Sequence, residues 1–147
     1  MKLKFQNQKG TAIVEFAIVL PILVLLLIGM AEFSLILYDQ AVITNASREG
    51  ARAGIVAQSP RKTDGEIRDI VNQYASNLVP RTERIPDEDI IISPIGPRDD
   101  YGFGTPVLVT VKYYYPFMVL PGFMTSIFKK EFEPGIGLHA TATMRME

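Results

Sequence analysis

The feature that most constrains this chain is an uncharged and strongly apolar stretch from Phe16 to Ala31. Extended back to Thr11, the stretch covers about 21 residues in which Glu15 is the one charged side chain. At a rise of 1.5 Å per residue, a helix over this range is roughly 31 Å long, which is about the thickness of the hydrocarbon core of a bilayer. The sequence therefore predicts a transmembrane helix over residues 11–31.

The charges on either side of the apolar stretch predict its orientation. Lys2, Lys4 and Lys9 precede it with no acidic residue among them, whereas Glu32 and Asp39 follow it. Because positive charge is retained on the cytoplasmic side of a membrane, we expect a cytoplasmic N-terminus and a C-terminal part on the opposite side.

Three interpretations of the apolar stretch are open. It can be the buried helix of a soluble protein, although its length and its lysine flank disfavour this. It can be a secretory signal peptide that is cut after Ala31 and releases a periplasmic binding module. It can also be an anchor that stays attached, and the charged Glu15 within the stretch favours this third interpretation.

A carboxylate at mid-depth in a membrane costs about 2.5–3.5 kcal/mol, so Glu15 either lies near the lipid headgroups, where the cost is smaller, or has a partner. A cut after Gly10 would create a new α-amino group at Thr11, four residues before Glu15. That amine, on this chain or on a neighbouring one, could compensate the carboxylate. The cut would also remove residues 1–10, a basic leader that holds all three of the preceding lysines.

The spacing of Gly10, Glu15 and Phe16 resembles the processing motif of the TadE-like pseudopilins of bacterial tight-adherence (Tad/Flp) pili. The resemblance is strongest over residues 41–54, where the sequence AVITNASREGARAG is similar to the juxtamembrane signature of that family. It returns over residues 140–147.

The resemblance implies a minor pilin that is needed for assembly of a Tad-type adhesive pilus, for adhesion and for biofilm formation. A prepilin peptidase would cut between Gly10 and Thr11, and Glu15 with Phe16 would register the subunit in the assembling filament. The implied partners are the membrane, the peptidase, sister TadE-like and TadF-like pseudopilins, the major Flp pilin and the Tad inner-membrane platform. The implied location is the bacterial inner membrane, as a single-pass protein with a periplasmic or extracellular C-terminal domain, or the pilus itself. The open alternatives are a secreted module and a single-pass protein without a pilus role.

Residues 32–57 contain no proline, so we expect the membrane helix to continue through this juxtamembrane segment. Ala46, Gly50 and Gly54 recur every four residues and form a ridge of small side chains that allows close helix packing. The ridge packs either against the chain's own sheet or against a partner subunit.

Arg48, Glu49 and Arg52 lie in the same segment. Glu49 can pair with Arg52 at a spacing of i,i+3, and Arg48 shares a helix face with Arg52. These charges form either a solvated face or a docking surface for a sister pseudopilin.

Residues 58–147 predict an extracytoplasmic α+β domain. Thr63 and Glu66 have the spacing of a capping box and open a second, amphipathic helix that ends before Pro80. Alternating apolar residues predict strands at 90–92, 107–115 and 137–147. The predicted fold is therefore α+β and pilin-like: a long N-terminal helix with a transmembrane lower half, a second helix and a small antiparallel sheet of about three strands.

Composition and motifs disfavour several functions. The chain has 15 Lys+Arg against 16 Asp+Glu, which disfavours nucleic-acid binding, and it has no cysteine. We find no motif for a catalytic residue, a metal site or a cofactor, and we expect no enzyme. The loop over residues 93–106 is rich in turn residues. The apolar segment over residues 116–132 is a core flap, an exposed interaction patch or a segment that lies on the membrane surface.

Overall fold

The computed structural model describes residues 8–57, 59–80, 84–94, 102–118, 122 and 135–146. Its elements, in chain order, are helix α1 (Gln8–Ile55), helix α2 (Asp64–Tyr74) and strands β1 (Ile90–Ser93), β2 (Pro106–Pro116) and β3 (Gly135–Arg145). The three strands form one antiparallel sheet in the order β1-β2-β3. The predicted α+β class is confirmed, with a long N-terminal helix, a second helix and three strands.

The chain divides into two compact units. One comprises Met1–Ser34 and Met118–Glu133, and the other comprises Leu35–Phe117 and Pro134–Glu147. We call them the anchor unit and the sheet unit. Helix α1 contributes its residues up to Ser34 to the anchor unit and its residues from Leu35 onward to the sheet unit.

Helix α1 is long and apolar enough to cross a membrane. Its most apolar window has a mean hydropathy of 2.8, and none of that window is buried inside the protein. The helix ends at Ile55, two residues before the predicted end, which is the usual uncertainty for a helix terminus.

Helix α2 begins with the predicted capping box. The backbone N–H of Glu66 donates to Thr63 Oγ1 at 3.3 Å, and the backbone N–H of Thr63 donates to Glu66 Oε2 at 2.7 Å. Two backbone donors at the start of the helix are thereby satisfied. A short 3-10 turn at Ala75–Asn77 follows the helix, so the helical stretch ends before Pro80 as predicted.

The core of the sheet unit lies against one face of the sheet. Val107, Val109 and Val111 alternate along β2 and are fully buried, as the period of a strand requires. They belong to the same core cluster as Ile43 of α1 and Ile67 of α2. The opposite face of the sheet carries the exposed side chains of the three strands.

Some sequence predictions fall outside the described residues. These are residues 1–7 of the leader, half of the 93–106 loop and most of the 116–132 segment.

Candidate functional site

The predicted processing site lies on the first turn of helix α1, which begins at Gln8. Gly10 and Thr11 are both exposed, and a Cβ atom at Gly10 would have no neighbour within 4 Å. Both residues therefore lie on the outer surface of the helix.

Glu15 and Phe16 lie one turn further along α1. Both are exposed, and the Phe16 side chain is 60% accessible. Thr11 precedes Glu15 by four residues, and side chains at this spacing lie on the same face of a helix. Thr11 and Glu15 therefore share one face of α1.

Large apolar side chains are exposed along α1 beside and beyond Glu15. A helix that exposes large hydrophobic residues all round is typical of a membrane span rather than of a water-exposed surface. The residues of this surface, all 37% exposed or more, are Ile13, Val14, Phe16, Ile18, Val19, Leu20, Ile22, Leu23, Leu25, Leu26, Leu27, Met30 and Phe33.

The small-residue ridge lies within the sheet unit. Ala46, Gly50 and Gly54 are all buried. A Cβ atom at Gly50 would lie 2.6 Å from Val71 Cγ2 on α2 and 3.3 Å from Val109 Cγ1 on β2. At Gly50 the ridge therefore packs against the chain's own second helix and sheet.

The charged residues beside the ridge lie on the outer surface of α1. Arg52 Nη1 is 3.8 Å from Glu49 Oε2, at the predicted spacing, and Arg48 is exposed. Because the Arg52 side chain is 70% exposed, solvent screens this pair and its contribution to stability is small. A hollow of about 300 Å³ lies beside it, lined by Glu49, Arg52, Ala53, Val56, Ile70, Gln73 and Tyr74.

Residues 10–52 match the family model for TadE-like proteins. The resemblance inferred from the sequence is thereby confirmed for this segment. The TadE-like segment covers Gly10, Thr11, Glu15 and Phe16, and it extends along α1 to Arg52. It does not include residues 140–147, where the sequence also suggested a resemblance.

Comparison of the chain with curated proteins and with solved structures gave no match in either set. The match to the TadE-like family model covers 43 of the chain's 147 residues, less than a third of its length.

Asp39, within the TadE-like segment, is a buried carboxylate that sequence interpretation treated only as a flanking charge. Its side chain is fully buried in the sheet unit, and Oδ1 accepts a hydrogen bond from the backbone N–H of Val79 at 3.0 Å. Oδ2 is also buried and has no hydrogen-bond partner among the described residues. Burial raises the pKa of Asp39, and the Val79 hydrogen bond opposes that rise.

Tyr113 on β2 is affected by the charge of the same carboxylate. Its hydroxyl donates to the backbone carbonyl of Pro80 at 3.3 Å. Burial raises the pKa of Tyr113, and the negative charge of Asp39 raises that pKa further. The Val79-Pro80 segment is thus held by hydrogen bonds to Asp39 on α1 and to Tyr113 on β2.

Glu32 is a second buried acid that sequence interpretation took for a flanking charge. It is 3% exposed, and its Oε1 accepts a hydrogen bond from the backbone N–H of Met118 at 2.7 Å within the anchor unit. The signal that could have identified both residues is an acid within an otherwise apolar helix, since a buried acid requires a hydrogen-bond donor.

Proposed function

We propose that this chain is a minor pilin, or pseudopilin, that takes part in assembly of a Tad-type adhesive pilus. The observation that supports the proposal most directly is the TadE-like segment, which begins at Gly10 and contains both Thr11 and Glu15. We propose that residues 11–31 anchor the chain in the bacterial inner membrane, with a cytoplasmic N-terminus and the C-terminal domain on the opposite side.

The proposed mechanism is association of membrane helices rather than catalysis. A prepilin peptidase cuts between Gly10 and Thr11 and removes the basic leader. The new amine at Thr11, on this chain or on a neighbour, then compensates the Glu15 carboxylate and makes its position in the bilayer less costly. The partners in this association are sister pseudopilins, the major Flp pilin and the inner-membrane platform.

The cut is tested by mass spectrometry of the N-terminus of the protein from cells with and without the prepilin peptidase. We expect a chain that begins at Thr11 when the peptidase is present and a chain that retains its leader when it is absent. A leader retained in both strains would contradict the proposal. A soluble periplasmic product that begins at Glu32 would instead identify a signal peptidase product.

The role of Glu15 is tested with Glu15→Leu, and Ile13→Leu serves as a matched control in the same exposed surface. We expect Glu15→Leu to leave membrane insertion intact and to reduce the amount of pilus material sheared from cells. Ile13→Leu should leave both unchanged. Normal piliation with Glu15→Leu would instead indicate a single-pass protein without a pilus role.

A further inference from the structure

The exposed face of the sheet carries a group of polar side chains that lies far along the chain from the TadE-like segment. Lys112 on β2 and His139 on β3 are cross-strand partners and both are exposed. Asp89, directly before β1, lines the same hollow as these two residues. A carboxylate acceptor, a cationic donor and an imidazole, which can donate or accept, therefore line this hollow together.

Tyr114 forms a flat aromatic surface beside these groups. It is 62% exposed, and a Cβ atom at Gly135 would overlap its ring. Its cross-strand partner is Gly137, where a Cβ atom would have no neighbour within 4 Å. Because residue 135 is glycine, the Tyr114 ring can lie close to the backbone of β3, and among the described residues no side chain fills the space above Gly137.

The hollow is small, and a second hollow adjoins it. Its volume is about 300 Å³, and the adjoining hollow of about 210 Å³ shares Asp89, Lys112 and Tyr114 with it. Arg84 lines the far end, where its guanidinium is 3.0 Å from Asp69 Oδ1 and 3.2 Å from Asp87 Oδ1. The charge of Arg84 is thus already compensated within the chain.

We infer that this hollow binds a saccharide of one or two rings. Ring hydroxyls both donate and accept hydrogen bonds, which suits Asp89, Lys112 and His139 together, and the C–H face of a sugar ring can pack on the Tyr114 ring. Three adjacent strands span about 10 Å, and binding hollows for small molecules begin at about 300 Å³.

Other ligand classes fit the same groups less well. Asp89 repels a phosphate or another strongly anionic ligand. A wholly apolar ligand would bury Asp89, Lys112 and His139 without hydrogen-bond partners, which is costly. The inference rests on the geometry of the sheet unit and does not depend on the proposed role in pilus assembly.

The test uses the full chain in a detergent that has no sugar headgroup. Methyl glycosides of glucose and N-acetylglucosamine, followed by a glycan array, are the probes. Binding is followed by calorimetry and by tyrosine fluorescence, since the chain has no tryptophan. We expect saturable binding of at least one probe and at least a tenfold loss of affinity with Tyr114→Ala.

Tyr74→Ala is the matched control, because Tyr74 is 47% exposed on α2 and does not line the hollow. It should bind as the native chain does, and Lys112→Met should weaken binding while the circular dichroism spectrum stays native. No saturable binding of any probe, or equal affinity for native and Tyr114→Ala chains, would overturn the inference. Binding of an extended peptide at Tyr114 without any saccharide binding would overturn it as well.

Discussion

Asp39 on helix α1 accepts a hydrogen bond from the backbone N–H of Val79, which lies 40 residues further along the chain, at 3.0 Å. One carboxylate oxygen is thereby satisfied, while the other is buried without a hydrogen-bond partner among the described residues. The same side chain therefore fixes a loop to the helix and carries a buried charge that disfavours the folded state.

The first prediction concerns the pH dependence of stability. Because the pKa of Asp39 is raised in the folded state, the folded chain binds this proton more tightly than the unfolded chain does. The stability that protonated Asp39 contributes is fully present below its unfolded-state pKa and is lost as pH rises through the folded pKa. We expect Asp39→Asn, whose amide oxygen can still accept from Val79, to lack this loss.

Urea unfolding of the full chain in detergent, measured between acidic and neutral pH, tests this prediction. The free energy of unfolding of the native chain, relative to Asp39→Asn, should fall as pH rises. A difference between the two chains that stays constant with pH would show that Asp39 does not titrate in this range.

The second prediction concerns the capping box of α2. Thr63→Ala removes the hydroxyl that accepts from the Glu66 N–H, and we expect a loss of about 1 kcal/mol in the free energy of unfolding. Thr63→Ser keeps the hydroxyl and should behave as the native chain does. The measurement is denaturant unfolding followed by circular dichroism, and equal stability of the alanine and serine variants would contradict the prediction.

The cap has a pH dependence of the opposite sign to that of Asp39. Hydrogen bonds from the Thr63 backbone and hydroxyl lower the pKa of Glu66 in the folded state. The stability from this group is therefore present above its unfolded-state pKa and is lost as pH falls through the folded pKa. Glu66→Gln should remove the loss of stability that occurs as pH falls. Asp39→Asn should remove the loss of stability that occurs as pH rises toward neutral.

Features set by local sequence could be predicted. The capping box follows from the spacing of Thr63 and Glu66, and the strands follow from alternation of apolar residues such as Val107, Val109 and Val111. The TadE-like segment was recognisable because its charges and apolar residues are contiguous in the sequence. These patterns can be recognised without knowing which helices and strands pack together.

Features that join distant parts of the chain could not be predicted. Asp39 bonds to a residue 40 positions away and Glu32 to one 86 positions away, and no local pattern specifies either partner. The packing partner of Gly50 could not be predicted for the same reason. A small residue allows close packing but does not indicate which element packs against it. The hollow beside Tyr114 could not be predicted either, because its lining depends on the register of β2 with β3.

The third prediction follows from the packing of Gly50. A methyl group there would lie 2.6 Å from Val71 Cγ2 and 3.3 Å from Val109 Cγ1, so the Val71 side chain or the helix that carries it must move to accept the methyl group. We expect Gly50→Ala to destabilise the sheet unit by about 1–3 kcal/mol.

Gly65→Ala is the control for this substitution. A Cβ atom at Gly65 would meet only Thr63 Oγ1, at 3.9 Å, and alanine is the better helix former. Denaturant unfolding of the two variants should therefore give a clear loss of stability for Gly50→Ala and none for Gly65→Ala. Equal stabilities would mean that α1 and α2 can separate at Gly50 without cost.

The last prediction concerns Asn72, which joins α2 to the chain that leads into β1. Its Oδ1 accepts from the backbone N–H of the buried Ile85 at 2.7 Å, and its Nδ2 donates to the carbonyl of Arg68 at 3.1 Å. Asn72→Ala leaves the Ile85 N–H without this acceptor, and we expect a loss of about 1–3 kcal/mol in the free energy of unfolding.

Asn72→Asp separates the two hydrogen bonds, because a carboxylate can accept from Ile85 but cannot donate to Arg68. We expect its stability to lie between those of the native chain and Asn72→Ala, as measured by denaturant unfolding. Hydrogen exchange at the Ile85 amide should be faster in Asn72→Ala than in Asn72→Asp. Equal exchange in the two variants would show that the Asn72 side chain does not protect this amide.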